Sequence, residues 1–360
     1  MFFAVLVWAR DMITEPVVVV YVSNAESGDI VVFNVDLASG ELSQLQRVFV
    51  GGAVMPLASS PDCRFLYAAR RTDPLEVLSF SIEPPSGKLS LVGTAPLPAN
   101  MAYIATDRSG RFLFSASYAE HQLAVSPIDA NGAVLPAQQV LVTEQNAHAV
   151  QVDLSNRFLF VTNLGGGIVM QQLFDASTGM IKSNLPAALR IRAGAGPRHL
   201  AFHPHGRYVY LLNELDASVE VLRLDEVQGT LSIEQTVSSI PVGFDGIPWA
   251  ADVRITSNGR FLYTSERRSS TLGAFVIDPR SGLLTLIGHV PAQEQPRSFG
   301  IDPGGRFLFV AGQRSNQLGV YTIDVKSGTL THLKDYLVGK SPTWVEVIRL
   351  EVAAQIQTPR

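Results

Sequence analysis

Along this chain apolar residues come in runs of about four to eight, rich in Val, Leu, Phe and Tyr, and each run ends in a cluster of Gly, Pro, Asn, Asp or Ser. Such spacing predicts short β-strands joined by tight turns. One pattern, a turn followed by Arg and an aromatic–aliphatic–aromatic strand, recurs as 60-SPDCRFLYAAR-70, 107-DRSGRFLFSAS-117, 153-DLSNRFLFVTN-163, 203-HPHGRYVYLLNE-214, 256-TSNGRFLYTSER-267 and 302-DPGGRFLFVAG-312. The segment 18-VVVYVSN-24 is a seventh copy without its turn, so this column reads 18, 64, 111, 157, 207, 260 and 306. A second column, a glycine turn between two strand-like runs, falls at Gly40, Gly87, Gly132, Gly179, Gly229, Gly282 and Gly328. The two columns advance in step, by 45 to 53 residues per copy.

Each copy holds four strand-like runs. In the fifth they are 198-RHLAFH-203 (A), 207-RYVYLLN-213 (B), 219-VEVLRL-224 (C) and 230-TLSIEQT-236 (D). Four short antiparallel strands per repeat, seven times over, predict an all-β, seven-bladed β-propeller, because such a unit buries its faces only against neighbouring blades. The N-terminal copy starts at a B strand, and 342-PTWVEVIRL-350 reads as an A strand with nothing after it. One blade is therefore expected to close from both chain ends, leaving no unpaired radial edge. The expected organisation is an extension over 1–16, one propeller over 17–350 and a tail over 351–360.

Meander topology sorts the polar residues onto two faces. The A–B and C–D turns share one face, the D–A and B–C connections the other. Arg64, Arg111, Arg157, Arg207, Arg260 and Arg306 recur at the A–B turn and are read as structural, as are His203 and His205. His121, His289 and His332 are given no role. Residues that break the repeat are more informative: His148, Arg198, His199, Asp252 and Arg297 at the starts of A strands, and Asn163, Glu214 and Arg267 at the ends of B strands. All belong to the D–A face, so several blades bring charged or hydrogen-bonding groups to one end of a central channel.

Composition excludes several alternatives. With 46% apolar and 17% charged residues and a net charge of −4, the chain has ample material for a core and no basic block to attract nucleic acid or an anionic membrane. A single cysteine, Cys63, rules out an intrachain disulfide and fits a cytoplasmic location. The apolar stretch 2-FFAVLVWA-9 lacks a basic flank and is too short to span a bilayer, so it is read as an extension rather than a signal peptide. No nucleophile elbow, zinc-protease or P-loop motif occurs. His199 and His203 are four residues apart in a strand, about 13 Å, too far to share a metal. No metal and no cofactor is expected.

The residues isolated in this way resemble a known family. From about Val17 to Leu350 the chain is similar to the lactonase family of seven-bladed propellers, on 196-GPRHLAFHP-204 followed by 213-NE-214, on 249-WAAD-252 with 263-YTSER-267, and on 295-QPR-297. The resemblance implies an active-site His, Arg, Glu and second Arg, which fall on His148, Arg198, Glu214 and Arg267, with His199, Arg297, Asp252 and Asn163 as substrate-binding candidates. It implies hydrolysis of a sugar-acid lactone, 6-phosphogluconolactone being the leading substrate. His148 or Glu214 would activate water, Arg198 with His199 nearby would stabilise the oxyanion, and Arg267 and Arg297 would hold an anionic group. The glycines 165-GGG-167 and the 1–16 extension depart from the family pattern. Two other readings stay open: a lactonizing cycloisomerase acting on a dicarboxylic acid, and a non-enzymatic binding propeller. The expected partner is a small anionic lactone, with the chain a monomer or weak homo-oligomer.

Overall fold

A computed structural model describes residues 16–351. The extension expected over 1–16 and the tail expected over 351–360 therefore lie almost wholly outside the described residues. Seven four-stranded antiparallel sheets form the blades of a propeller. In blade 5 the strands are Pro197–Phe202, Tyr208–Asn213, Ser218–Asp225 and Thr230–Ser238, within a residue or two of the sequence reading. The inner strand of blade 1 is Pro342–Leu350, which pairs antiparallel with Val17–Asn24, so the ring closes from both chain ends as expected. Among the described residues no helix is long and apolar enough to cross a membrane.

The two repeat columns advance in step because they touch. Each turn glycine has positive φ and lies against the residue that follows the turn position in the preceding blade, an aromatic ring in six cases and Val19 at Gly87. A Cβ on Gly229 would come within 2.0 Å of Phe158, and one on Gly282 within 2.5 Å of Tyr208. Gly40 of blade 1 meets Phe307 of blade 7 in the same way. At three interfaces a strand tyrosine reaches across and donates to that glycine's carbonyl, Tyr21 to Gly87 and Tyr210 to Gly282 at 2.8 Å and Tyr263 to Gly328 at 2.9 Å, whereas the Tyr67 hydroxyl has no partner among the described residues.

The turn arginines tie blades as well as turns. Arg157 stacks over Phe158, 4.9 Å from its centroid, and donates to Glu226 O at 2.8 Å in the next blade's C–D turn. Arg260 reaches Val325 O at 2.9 Å. Three of the turns close on an aspartate, Asp107, Asp153 or Asp302: Asp153 accepts from the backbone of Ser155, Arg157 and Phe158 at 2.8–2.9 Å, the local reason the inner strand stops there. A cleft of about 350 Å³ on this face is lined by His203, His205, Arg207 and Arg280. Both ring nitrogens of His203 are engaged there, Nε2 with Gly259 O at 3.1 Å and Nδ1 with the His205 amide at 3.2 Å, in keeping with a turn role.

Candidate active site

Every inner strand breaks register near its start, and the break aims a side chain. The unpaired bulge residue is His148 in blade 4, Arg198 in blade 5 and Arg297 in blade 7. Thr343 stands at the equivalent point in blade 1 and Ala102 in blade 3, while two residues are unpaired in blades 2 and 6. A bulge bends its strand and turns one residue out of the alternation, here toward the channel mouth. The second set of mouth residues comes seven positions after the turn-arginine column, just past each B strand: Ala25, Arg71, Tyr118, Leu164, Glu214, Arg267 and Gln313.

Arg198 is the hub of the mouth. Its Nη1 donates to Glu214 Oε2 and lies 2.6 Å from His148 Nε2, while its Nε donates to Ala251 O at 2.6 Å. Glu214 also receives Arg267 Nη2 at 3.1 Å and, on Oε1, the Trp249 indole N–H at 3.0 Å. Arg267, only 2% exposed, lies 3.7 Å from the Trp249 ring centroid and donates from Nε to Trp249 O and from Nη2 to Ala250 O, both at 3.0 Å. One carboxylate thus holds two guanidinium groups that would otherwise repel.

These contacts decide the charge states. Burial alone would raise the pKa of Glu214, but Arg198 and then Arg267, with the hydrogen bonds from Arg198 and Trp249, hold it below the ordinary carboxylate value. His148 is pushed well below the ordinary imidazole value, first by burial, then by Arg198, His199 and the more distant Arg297 and Arg267. It is neutral. Because Arg198 presents an N–H to Nε2, that nitrogen carries the lone pair and the proton sits on Nδ1, which has no partner among the described residues.

His199 and Asp252 form a second layer beneath the mouth. His199 Nδ1 is 2.8 Å from Asp252 Oδ1, and the other carboxylate oxygen accepts from Ser298 Oγ at 3.1 Å and the Phe299 amide at 3.3 Å. Tyr103, Trp344 and His148 pack edge-on or tilted around the His199 ring at 5.2–6.1 Å. Burial lowers the pKa of His199 to about 4, against the pull of Asp252. With the Nδ1 proton given to Asp252, Nε2 bears the lone pair, so His199 is not placed to donate to an oxyanion; Asp252, 1% exposed, is taken up by His199 and, at 3.4 Å, by Arg254.

The structure therefore brings His148, Arg198, Glu214 and Arg267 together and sets His199 and Asp252 behind them. Arg297 reaches the same mouth and is half-buried. Asn163 differs: it is fully buried, and its amide donates to Val161 O at 3.0 Å, repeating the bond of Asn24 to Val22 O at 3.3 Å. It belongs to the repeat. Missed in the sequence were Arg71, Tyr118 and Trp249, although the column seven past the turn arginine contains the first two. Among the described residues no group of three or more His, Cys, Asp or Glu is placed to hold a metal ion.

Comparison with known proteins identifies the family. The family model for the lactonase seven-bladed β-propeller matches residues 16–347. The 6-phosphogluconolactonase of Pectobacterium carotovorum is 43% identical over 334 residues, covering 92% of this chain and 99% of that one. Its counterpart in Yersinia pestis is 42% identical over 329 residues, covering 91% and 97%. Among solved structures, the periplasmic gluconolactonase PpgL of Pseudomonas aeruginosa superposes with a TM-score of 0.86 at 28% identity, over 93% of this chain and 99% of that one. A matched family model over nearly the whole propeller, on a fold whose inner strands converge on one polar mouth, leads to one conclusion: the chain belongs to the lactonase family of seven-bladed β-propellers.

Proposed function

We propose that this protein hydrolyses 6-phosphogluconolactone to 6-phosphogluconate at the mouth formed by His148, Arg198 and Glu214. The observation that carries the chemistry is the shared hydrogen bond between Arg198 Nη1 and His148 Nε2 at 2.6 Å. A lactone carbonyl oxygen entering the mouth competes with His148 for that N–H. Once it takes the Arg198 proton donor, the imidazole lone pair is released to a water molecule.

Water then attacks the carbonyl carbon as His148 Nε2 accepts its proton, and the negative charge moves to the carbonyl oxygen against Arg198. Collapse of the tetrahedral species breaks the bond to the ring oxygen, which takes the proton back from His148 and leaves as a hydroxyl. Water and lactone become acid and alcohol with no other reactant. Glu214 is the weaker candidate for the base, since both its oxygens are occupied and its carboxylate is stabilised. Its role is to hold Arg198 and Arg267 in place.

The names of relatives similar over more than nine-tenths of the chain support the substrate. So does a mouth with an excess of arginine, which favours an anion. A cytoplasmic location follows from a substrate of central sugar metabolism and is tested by fractionating cells that express the full chain. The direct test is the hydrolysis rate of freshly generated 6-phosphogluconolactone, corrected for spontaneous breakdown, with unphosphorylated gluconolactone alongside. Strong acceleration is expected for the phosphorylated lactone; acceleration of neither would overturn the proposal.

A further inference from the structure

The two sides of the mouth differ. Blades 4 to 6 supply His148, Arg198, Glu214 and Arg267, all bonded to one another or to the backbone. Blades 7, 1 and 2 supply Arg297, Thr343 and Arg71. The inner strand of blade 1, which carries Thr343, packs between those of blades 7 and 2, the two blades that supply the arginines, and Ala25, from the same blade, adds little bulk.

All three side chains carry donors without acceptors. Among the described residues Arg297 makes neither an ion pair nor a hydrogen bond; burial, then Arg198 and Arg71, push its pKa down to about 9 against a single opposing carboxylate, Glu214. Arg71 is steadied from behind, Nε donating to Asn100 Oδ1 and Nη1 lying 2.8 Å from Met55 Sδ, which leaves Nη2 without a partner among the described residues. Thr343 is 2% exposed, and its Oγ1 has no hydrogen-bond partner there. Like charges facing a common sector beside an unsatisfied buried hydroxyl are unfavourable unless an anion joins them.

We propose that Arg71, Thr343 and Arg297 form a phosphomonoester subsite, set across the channel mouth from His148 and Glu214. A phosphate dianion offers three terminal oxygens to three separate donors and two charges to two guanidinium groups. A carboxylate has one charge and two oxygens, and leaves one donor unmatched. The subsite rests on the proposed lactonase reading for its substrate, and it explains how a phosphorylated sugar lactone would be told from a plain one.

The test compares Arg71→Gln, Arg297→Gln, Thr343→Val and Thr343→Ser with the natural chain. The readout is the ratio of kcat/KM for phosphorylated over unphosphorylated gluconolactone. Arg71→Gln and Arg297→Gln should each lower this ratio at least roughly tenfold, the scale of one charge-assisted contact. Thr343→Val should lower it by a smaller factor, and Thr343→Ser, which keeps the hydroxyl, should restore it. Equal losses on both lactones would overturn the subsite. In parallel, calorimetry measures binding of 6-phosphogluconate, gluconate and inorganic phosphate. Phosphate-dependent binding that weakens in Arg71→Gln supports the subsite even if the natural chain turns over no lactone, a result that would sink the catalytic reading alone. Binding of the two sugar acids with equal affinity counts against the subsite.

Discussion

Replacing Glu214 by glutamine tests whether this carboxylate organises the site or performs the chemistry. Glu214 accepts from Arg198 Nη1 and from Arg267 Nη2 at 3.1 Å on one oxygen, and from Trp249 Nε1 at 3.0 Å on the other. Glutamine has one acceptor oxygen. If it faces the arginines, two charge-assisted bonds become ordinary ones, a loss of about 1 kcal/mol each, and the amide N–H₂ meets the indole N–H at a cost of about 1–3 kcal/mol. If it faces Trp249, the amide opposes two guanidinium groups, which is worse. The first arrangement sums to about 3–5 kcal/mol, the range found when one partner of a buried ion pair is removed. For a domain of this size the entropy of unfolding is about 0.7 kcal/mol per degree, so Tm should fall by about 4–7 °C. Thermal unfolding measures that fall, and a pH–rate profile of the same variant shows whether the acid limb survives. With Glu214 as organiser, the variant is destabilised, its rate drops because Arg198 loses its position, and the acid limb set by His148 remains. A variant as stable as the natural chain whose acid limb has vanished would refute this reasoning and make Glu214 the base.

Other consequences can be checked separately. The acid limb of kcat/KM should lie below the ordinary histidine pKa of about 6.5, because burial and Arg198 keep His148 neutral; a midpoint at or above that value would remove His148 as the base. Stability should fall as pH drops from about 6.5 toward 4. In that window the unfolded chain takes up protons that His199, with its folded pKa lowered to about 4, refuses, as does His148. Urea unfolding across this range should show His199→Gln losing one proton's worth of slope, about 1.4 kcal/mol per pH unit. An unchanged slope would count against the buried neutral imidazole. Gly229→Ala, whose new Cβ would stand 2.0 Å from the Phe158 ring at a positive φ, should cost at least roughly 1–3 kcal/mol by denaturant titration while the folded fraction keeps its specific activity.

The amino-acid sequence by itself determined the propeller. Each blade buries its faces against copies of itself, so the large apolar residue after one turn, Phe or Tyr in six blades and Val19 in the first, and the glycine of the next blade must recur together, and their concordance is visible without coordinates. Closure was legible too, since Pro342–Leu350 is an inner strand lacking a partner until Val17–Asn24 supplies one. The channel end where His148, Arg198, Glu214 and Arg267 meet followed from strand direction alone. What tertiary structure decided was which of these groups are already engaged. Arg267 and Arg297 read alike in the chain, yet one is packed on Trp249 and bonded to Glu214 while the other has no partner among the described residues. The bulges decided aim: period-two alternation cannot say that His148 and Arg198 turn to the mouth while His199 faces Asp252. Arg71 and Thr343 stayed hidden because each is unremarkable in its own repeat. They become a pair only when the ring closes and sets blade 1 between blades 7 and 2, a relation between residues hundreds of positions apart that no local pattern encodes.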